Sequence, residues 1–331
     1  MTDRETALTE RWCTERPIYE AWGARVVEIL SECIAKQIHP VSLDVFLRIP
    51  IKYRCKENGS LLTKAFHRNK QYADPYNDIE DKVGLRIVVL FSEEIRLMEN
   101  IINNCDTWRA VKARDYEDER KLKPFEFDYQ SVHYVVRSKN DTAYLGTTIP
   151  IGTPCEIQIR TILQHAYSEV THDTIYKPSV QAEPDVKRAA AKSMALIEAT
   201  DDYFSEVRRK IEIAQSPMQE AAVLLASLYK EFVGADPQPA PLNVMLIDCY
   251  KSNFEGSFEA ELRDFLQKKP FLSERIRERS PENLLFRQPV VLLIYWTIKR
   301  APRGAEVGLL SHSELEPFYS DLGVSPPWVR Q

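Results

Sequence analysis

Between Lys52 and Lys70 the chain carries six Lys or Arg residues and a single acidic one, Glu57. Arg54 and Lys56 are two residues apart, so on a strand their side chains share a face. Gly59 and Ser60 are expected to open a short basic helix running to Lys70, with Ser60 and Lys64 one turn apart on it. Cations converging from a strand end and a helix can hold a polyphosphate, because guanidinium and ammonium groups donate to phosphate oxygens. A solvated basic face is the competing reading of this cluster. Asp81-x-x-Gly84-x-Arg86 then enters the apolar run VGLRIVVLF. A carboxylate at the mouth of a buried strand can bind Mg2+, a hard cation that prefers oxygen. Gly84 lets a ligand approach the backbone closely. Pairing of Asp81 with Lys82 or Arg86 is the alternative.

Two further strands carry polar residues in line. In Cys155-Glu-Ile-Gln-Ile-Arg160, Ile157 and Ile159 fall on one face and Glu156, Gln158 and Arg160 on the other. This strand feeds a helix whose start is marked by Thr161 and Gln164, the two ends of a capping box. Tyr129, Ser131 and His133 are placed on one face of another strand. A tyrosine there can stack on a base, or serve as an ordinary half-buried strand residue. On the helix from Thr161 to Lys177, His165, Glu169, His172 and Tyr176 recur at spacings of four, three and four. The order is not HExxH, so this face is read as support for Glu156 rather than as a zinc site. GxxxxGK[ST], GxGxxG and GxSxG are all missing, which excludes phosphate handling of the P-loop kind.

The elements that must position these residues follow from periodicity. Trp22, Val26, Ile29, Leu30 and Cys33 predict a helix over Glu5 to Lys36. Leu43 to Cys55 is read as a strand, with Pro50 at a bulge or edge. The strongest strand is Val83 to Phe91, followed by a helix from Ser92 to Asn103 with Ser92 as its cap. Trp108–Arg114, Ser131–Arg137 and Cys155–Arg160 complete an α+β unit, a mixed β-sheet flanked by helices. The expected organisation is a helical segment at 1–42, this sheet domain at 43–180, long helices packing on it at 181–233, and a helical C-terminal domain at 243–331. The 185–233 stretch reads as two helices broken at Ser216-Pro217. The segment from Gly234 to Leu242 has linker composition. Val290 to Arg300 is apolar nearly all round and is expected to be a core helix.

Composition sets outer bounds. The net charge of −5 over 331 residues argues against coating nucleic acid by bulk charge. Six cysteines form no CxxC pair, so neither a zinc ribbon nor a disulfide framework is expected and a reducing cytoplasm is the expected home. The opening residues lack the apolar core of a signal peptide. The longest apolar run, Pro289 to Ile298, is too short to cross a bilayer, so no membrane partner is expected.

Taken in order, these motifs resemble the synthetase domain of the RelA/SpoT family, the alarmone synthetases, whose fold is nucleotidyltransferase-like. Arg54, Lys56, Ser60 and Lys64 match that family's R-x-K-x-x-x-S-x-x-x-K run. Asp81, Gly84, Arg86, Ile87 and Val88 match its D-x-x-G-x-R-I-V strand, and Tyr129, Gln130, Ser131 and His133 its tyrosine element. Glu156 to Thr161 match its E-x-Q-x-R-T strand-to-helix, whose helix carries His172, Tyr176 and Lys177 here. The resemblance implies an ATP-dependent pyrophosphokinase that makes (p)ppGpp from GDP or GTP and releases AMP. By the same resemblance Arg54, Lys56, Ser60, Lys64 and Arg86 would bind ATP. Asp81 and Glu156 would bind Mg2+, Glu156 would also be the base, and Tyr129, His133 and Gln158 would bind the acceptor. Phe127-Asp128 stands where the family's alarmone makers commonly have Asn-Gly, and the preceding loop reads DYEDERKLK. Acceptor identity therefore stays open between a guanine nucleotide, an adenine nucleotide and the 3′-CCA end of tRNA. In the tRNA case the enzyme would be a toxin and the C-terminal domain its fused antitoxin. A non-catalytic nucleotide sensor is the rival from another class. The residues before Arg54 are too few for the family's helical hydrolase, so alarmone hydrolysis is not expected. A homo-oligomer stays open.

Overall fold

The computed structural model describes residues 2–67, 72–171, 183–254 and 257–330. Its strands are β1 (Tyr53–Cys55), β2 (Val83–Val89), β3 (Trp108–Arg114), β4 (Val132–Ser138), β5 (Thr142–Tyr144), β6 (Thr147–Ile149) and β7 (Pro154–Thr161). Five of them form one mixed sheet in the order β1-β2-β7-β4-β3, with β2 and β7 parallel and the other pairs antiparallel. β5 and β6 make a separate hairpin, turned by Leu145 and Gly146 at φ 48° and 75°. Two successive positive φ values give a turn that matches the natural strand twist.

The helices of this first unit, Met1–Val207, are α1 (Asp3–Ile38), α2 (Leu43–Phe46), α3 (Asn58–Phe66), α4 (Pro75–Asp78), α5 (Ser92–Asn103), α6 (Tyr116–Leu122), α7 (Ile162–Thr171) and the first part of α8 (Pro184–Val233). The period of two along the central strands separates the sheet's faces. One face presents Val83, Leu85, Ile87, Cys155, Ile157, Ile159, Tyr134 and Val136, all buried in one core with Trp22, Val26, Leu30 and Ile34 of α1 and Ile95, Met98 and Ile102 of α5. Each such aliphatic side chain adds about 1.5–3 kcal/mol through burial. Gly23 lets α1 lie close: a Cβ there would meet Val83 at 2.8 Å and the Tyr53 ring at 2.9 Å. The other face carries the polar residues.

The mixed sheet, the α1 helix, and strands β2, β3, β4 and β7 agree with the sequence expectation. Three local readings are corrected. Leu43 to Cys55 is not one strand: α2 occupies its start and only Tyr53–Cys55 pair, with Leu85, Gly84 and Val83. Pro50 offers no N–H to a ladder, and Leu47 and Ile51 bury singly instead. Ser92 does not cap α5. The N-cap is Phe91, so Ser92 is already the first helical residue, and Glu94 closes the start of the helix by accepting from the backbone N–H groups of Leu90 and Phe91 at 3.0 and 3.1 Å. Ser92 Oγ instead pairs with Ser205 Oγ at 3.0 Å. Pro217 does not break α8, which runs through it as one helix; a proline on an exposed stretch leaves its orphaned carbonyl to water. By contrast, the capping box forms as expected, Thr161 N donating to Gln164 Oε1 at 3.0 Å and Gln164 N to Thr161 Oγ1 at 3.1 Å. The expected end of α7, with His172 and Tyr176, lies outside the described residues.

The second unit, Arg208–Gln331, contains the rest of α8 with α9 (Pro241–Cys249), α10 (Phe258–Lys268), α11 (Phe271–Arg279), α12 (Val290–Arg300) and α13 (His312–Leu322). As expected, α12 is its core helix: every residue from Val290 to Ile298 is buried. Leu225 and Tyr229 of α8, Leu262, Leu272, Phe286 and Phe318 bury with it. Its buried tyrosines keep their hydroxyls satisfied, Tyr229 on Phe286 O, Tyr250 on Ala305 O and Tyr295 on Asp321 Oδ2. Among the described residues no helix is long and apolar enough to cross a membrane.

Candidate active site

Strand register gathers the predicted residues on the polar face of the sheet. Arg54 pairs with Gly84, and Gly84 pairs with Glu156. Arg54 and Glu156 therefore flank a position that has no side chain. A Cβ on Gly84 would lie 3.2 Å from Glu156 O and 3.5 Å from Glu156 Cβ, so glycine is what keeps this gap open. One pleat along, Arg86, Gln158, His133 and Arg114 form a second row across β2, β7, β4 and β3.

Asp81, on the turn entering β2, holds both predicted lysines. Its Oδ2 lies 3.0 Å from Lys56 Nζ and 2.8 Å from Lys64 Nζ. Burial opposes ionisation of this carboxyl, but Lys56 and Lys64 outweigh it and hold Asp81 below the usual carboxylate range. Its Oδ1 is buried without a hydrogen-bond partner. The pairing of Asp81 with Lys82 or Arg86 does not occur. Lys82 is buried and donates to Tyr76 O at 2.6 Å and Ile79 O at 2.7 Å. Arg86 Nη1 donates to Glu169 Oε1 at 2.7 Å.

Glu156 accepts from His133 Nδ1 at 3.1 Å and from Gln158 Nε2 at 2.8 Å. Burial again opposes its charge, and the nearby Asp81 does too, yet His133 and Gln158 hold the carboxyl below its usual value. An ionised Glu156 only accepts, so His133 carries its proton on Nδ1, leaving Nε2 buried and without a partner. Glu169, expected to support Glu156, serves Arg86 instead, with His165 Nδ1 3.9 Å from the same carboxylate oxygen. Helical spacing puts His165 and Glu169 on one face but cannot say which strand residue that face will meet. No group of three or more His, Cys, Asp or Glu residues that could hold a metal occurs among the described residues.

Tyr129 precedes β4 rather than lying within it. Its ring stands edge-on to His133, with centroids 6.2 Å apart. The guanidinium carbons of Arg114 and Arg160 lie 5.1 and 5.3 Å from the ring centroid. Arg114 also donates to Tyr129 O at 3.2 Å and is gripped by both oxygens of Glu119 at 2.8 and 2.7 Å. Arg160 is buried, with Nε and Nη1 unpartnered, and its Nη2 donates to Gln158 Oε1. Ser131, expected beside Tyr129 and His133, is buried and donates to Ile159 O. A cleft of about 350 Å³ opens beside Tyr129, lined by Arg114, Glu119, Arg120, Lys123, Glu126 and Asp128 among others. Arg54 and Ser60 are exposed at the other end of the face. Sequence reasoning singles out neither Arg114 nor Glu119. Their one signal is an arginine closing a strand before an acidic turn.

Residues 53–181 match the family model described as the region found in RelA / SpoT proteins, in line with the resemblance seen in the motifs. Over 173 residues the chain is 28% identical to the GTP pyrophosphokinase YjbM of Bacillus subtilis (strain 168), a match spanning 50% of this chain and 76% of that protein. In fold it is similar to small alarmone synthetase 1 from Bacillus subtilis, with a TM-score of 0.50 at 21% identity over 61% of this chain and 98% of the other. The same synthetase bound to its product pppGpp gives 0.52 at 22% identity, again over 61% and 98%. The structure of smu.1046c from Streptococcus mutans UA159 gives 0.50 at 21% identity over 62% and 98%.

Proposed function

With a RelA/SpoT region across residues 53–181 as the premise, we propose that this chain is a pyrophosphokinase moving the β,γ-diphosphate of ATP to the 3′-hydroxyl of GDP or GTP. The observation that carries this reading is Asp81 binding Lys56 and Lys64 beside Glu156, which faces Arg54 across the side-chain gap at Gly84. Lys56, Lys64, Arg54 and Ser60 receive the ATP phosphates. Arg86 lines the same face. Tyr129, stiffened by Arg114 and Arg160, stacks on the acceptor base, and Gln158 and His133 orient the acceptor ribose. Glu156 takes the proton of the 3′-hydroxyl, whose oxygen bonds to the β-phosphorus. The bond from that phosphorus to the α,β-bridging oxygen breaks, and AMP leaves with that oxygen. Transfer of this kind needs positioning and charge neutralisation more than covalent help from the protein.

Mg2+ fits the donors present. The orphaned Asp81 Oδ1 and the Glu156 carboxylate are hard oxygen ligands that would hold it, with the remaining positions left to water and phosphate. Bound there, it would neutralise charge on the transferring diphosphate. The cysteines are all unpaired, which goes with a reducing, cytoplasmic setting.

A second acceptor, the 3′ end of tRNA, draws support from the cleft. Its cations Arg114, Arg120 and Lys123 pair with Glu119, Glu198 and Glu126, so little charge is left for a 5′-polyphosphate. Leu122, the last residue of α6, and Phe125, in the loop after it, stand 84% and 93% exposed, where the Phe125 ring can stack on a further base. The second unit would then be a regulator. Incubation with γ-labelled ATP and, separately, GDP, GTP, ATP or deacylated tRNA tests both readings. Label on GDP or GTP is the expected result. Label on tRNA alone selects the second acceptor, and transfer to none of the four rejects the enzyme.

A further inference from the structure

The lysines that would grip ATP are already occupied: both ammonium groups rest on one oxygen of Asp81, at 3.0 and 2.8 Å. The other oxygen of the same carboxylate is buried and bonded to nothing. Asp81 cannot readily swing away. It stands next to Lys82, whose buried ammonium is anchored by the carbonyls of Tyr76 and Ile79 and whose own carbonyl accepts from Lys56 N at 2.8 Å. The mobile partners are the two lysine side chains, each on a long flexible stem. Any phosphate that recruits them competes with Asp81 for their charge and their N–H donors, and any divalent cation that binds Asp81 weakens their bonds to it.

We propose that Asp81 is a counter-ion latch: without a divalent cation it withholds Lys56 and Lys64 from ATP, and a cation on Asp81 releases both to the phosphates. Metal and nucleotide then reinforce each other through one carboxylate, and the reinforcement is reciprocal. The inference rests on the proposal that ATP binds in this cradle, and it adds an order to events there. Metal-free ATP meets lysines already neutralised, whereas the metal complex meets them freed. An aspartate acting only as a metal ligand would lack this second effect.

The test measures binding, not turnover. α,β-Methylene ATP, which cannot give up its diphosphate, is titrated into the full chain by calorimetry, once in excess EDTA and once with Mg2+. Wild type should bind weakly in EDTA and tighten with Mg2+. Asp81→Asn should bind the metal-free analogue on the order of tenfold tighter than wild type, with little further gain from Mg2+. Removing a negative charge near phosphate could tighten binding by simple loss of repulsion, so the same change is made in a Lys64→Met background. There the gain should shrink, because one of the withheld lysines is gone. A gain of equal size in both backgrounds, or no gain at all, overturns the latch. A third measurement does not require Asp81→Asn to fold: Mn2+ titrated by electron paramagnetic resonance without nucleotide should bind Lys64→Met several-fold tighter than wild type, and equal affinity overturns the proposal. Failure of wild type to bind the analogue even with Mg2+ would instead refute ATP as the ligand of this cradle.

Discussion

Glu156 sits where burial and hydrogen bonding pull against each other. Burial raises its carboxyl and Asp81 adds repulsion, but the bonds from His133 Nδ1 and Gln158 Nε2 outweigh both and hold it below its usual value. Glu156→Gln preserves shape and removes the charge. Diphosphate transfer in the labelled-ATP assay should fall at least about a hundredfold, while the thermal midpoint drops modestly, since the fold favours the ionised carboxyl and the amide cannot accept from both His133 and Gln158. Full activity in that variant would remove Glu156 from the base and metal roles. Gly84→Ala tests the gap beside it. With the new Cβ 3.2 Å from Glu156 O, stability should drop by about 1 kcal/mol and transfer by considerably more, read by denaturant unfolding alongside the same assay. Both residues are legible in the sequence, because a strand's period of two puts Glu156 on a polar face and a lone glycine in an apolar strand marks close approach. Arg114 is not. Its grip on Tyr129 depends on how the loop after α6 folds back, which no local period encodes.

At the scale of elements, the junction of β7 and α7 is held from α8. Thr161 Oγ1 caps Gln164 N and also donates to Asp201 Oδ2 at 2.7 Å. Burial raises the Asp201 carboxyl from 3.8 to about 6, so the folded state favours its protonated form. That preference contributes fully below about pH 3.8 and is lost as pH rises through 6. Asp201→Asn escapes the loss. Its stability advantage over wild type should grow between about pH 4 and 6 and stay constant above, measured as the difference in unfolding free energy across a pH series; a difference independent of pH would contradict the assignment. Lys82 anchors the turn that carries Asp81, and Lys82→Met orphans two buried carbonyls, a change costing about 2–4 kcal/mol in chemical unfolding. The bounds of α5 and the start of α7 are readable because amphipathic period and capping residues are local signals. α2 and α6 escape the sequence for the opposite reason, being one or two turns long and stabilised by what they touch.

The whole molecule divides where composition gives no warning. Proline, glycine and alanine between Gly234 and Leu242 mark a linker by sequence, yet the two units part at Val207 and Arg208, inside the continuous α8. Helical period reveals that 185–233 is amphipathic, but not that its two ends serve different cores. Met194 and Asp201 bury in the first unit's part of α8, whereas Ala221, Leu225, Leu228, Tyr229 and Val233 belong to the core around α12. A fragment ending at the sequence-marked linker, residues 1–240, therefore keeps those five side chains and loses what covers them. At about 1.5–3 kcal/mol for each large one left exposed, and as a contiguous apolar stripe, it should self-associate and bind a hydrophobic dye. A fragment of residues 1–207 keeps every side chain of the core around the sheet and should unfold cooperatively as a monomer or a defined oligomer. Size-exclusion chromatography with dye binding compares the two, and a well-behaved 1–240 beside an aggregating 1–207 would move the boundary back to the linker. The same 1–207 fragment locates the chemistry, since all of Arg54, Lys56, Lys64, Asp81, Tyr129, His133 and Glu156 lie within it. Retained binding of α,β-methylene ATP would make the second unit dispensable for the nucleotide and confine any role it has to control of the site.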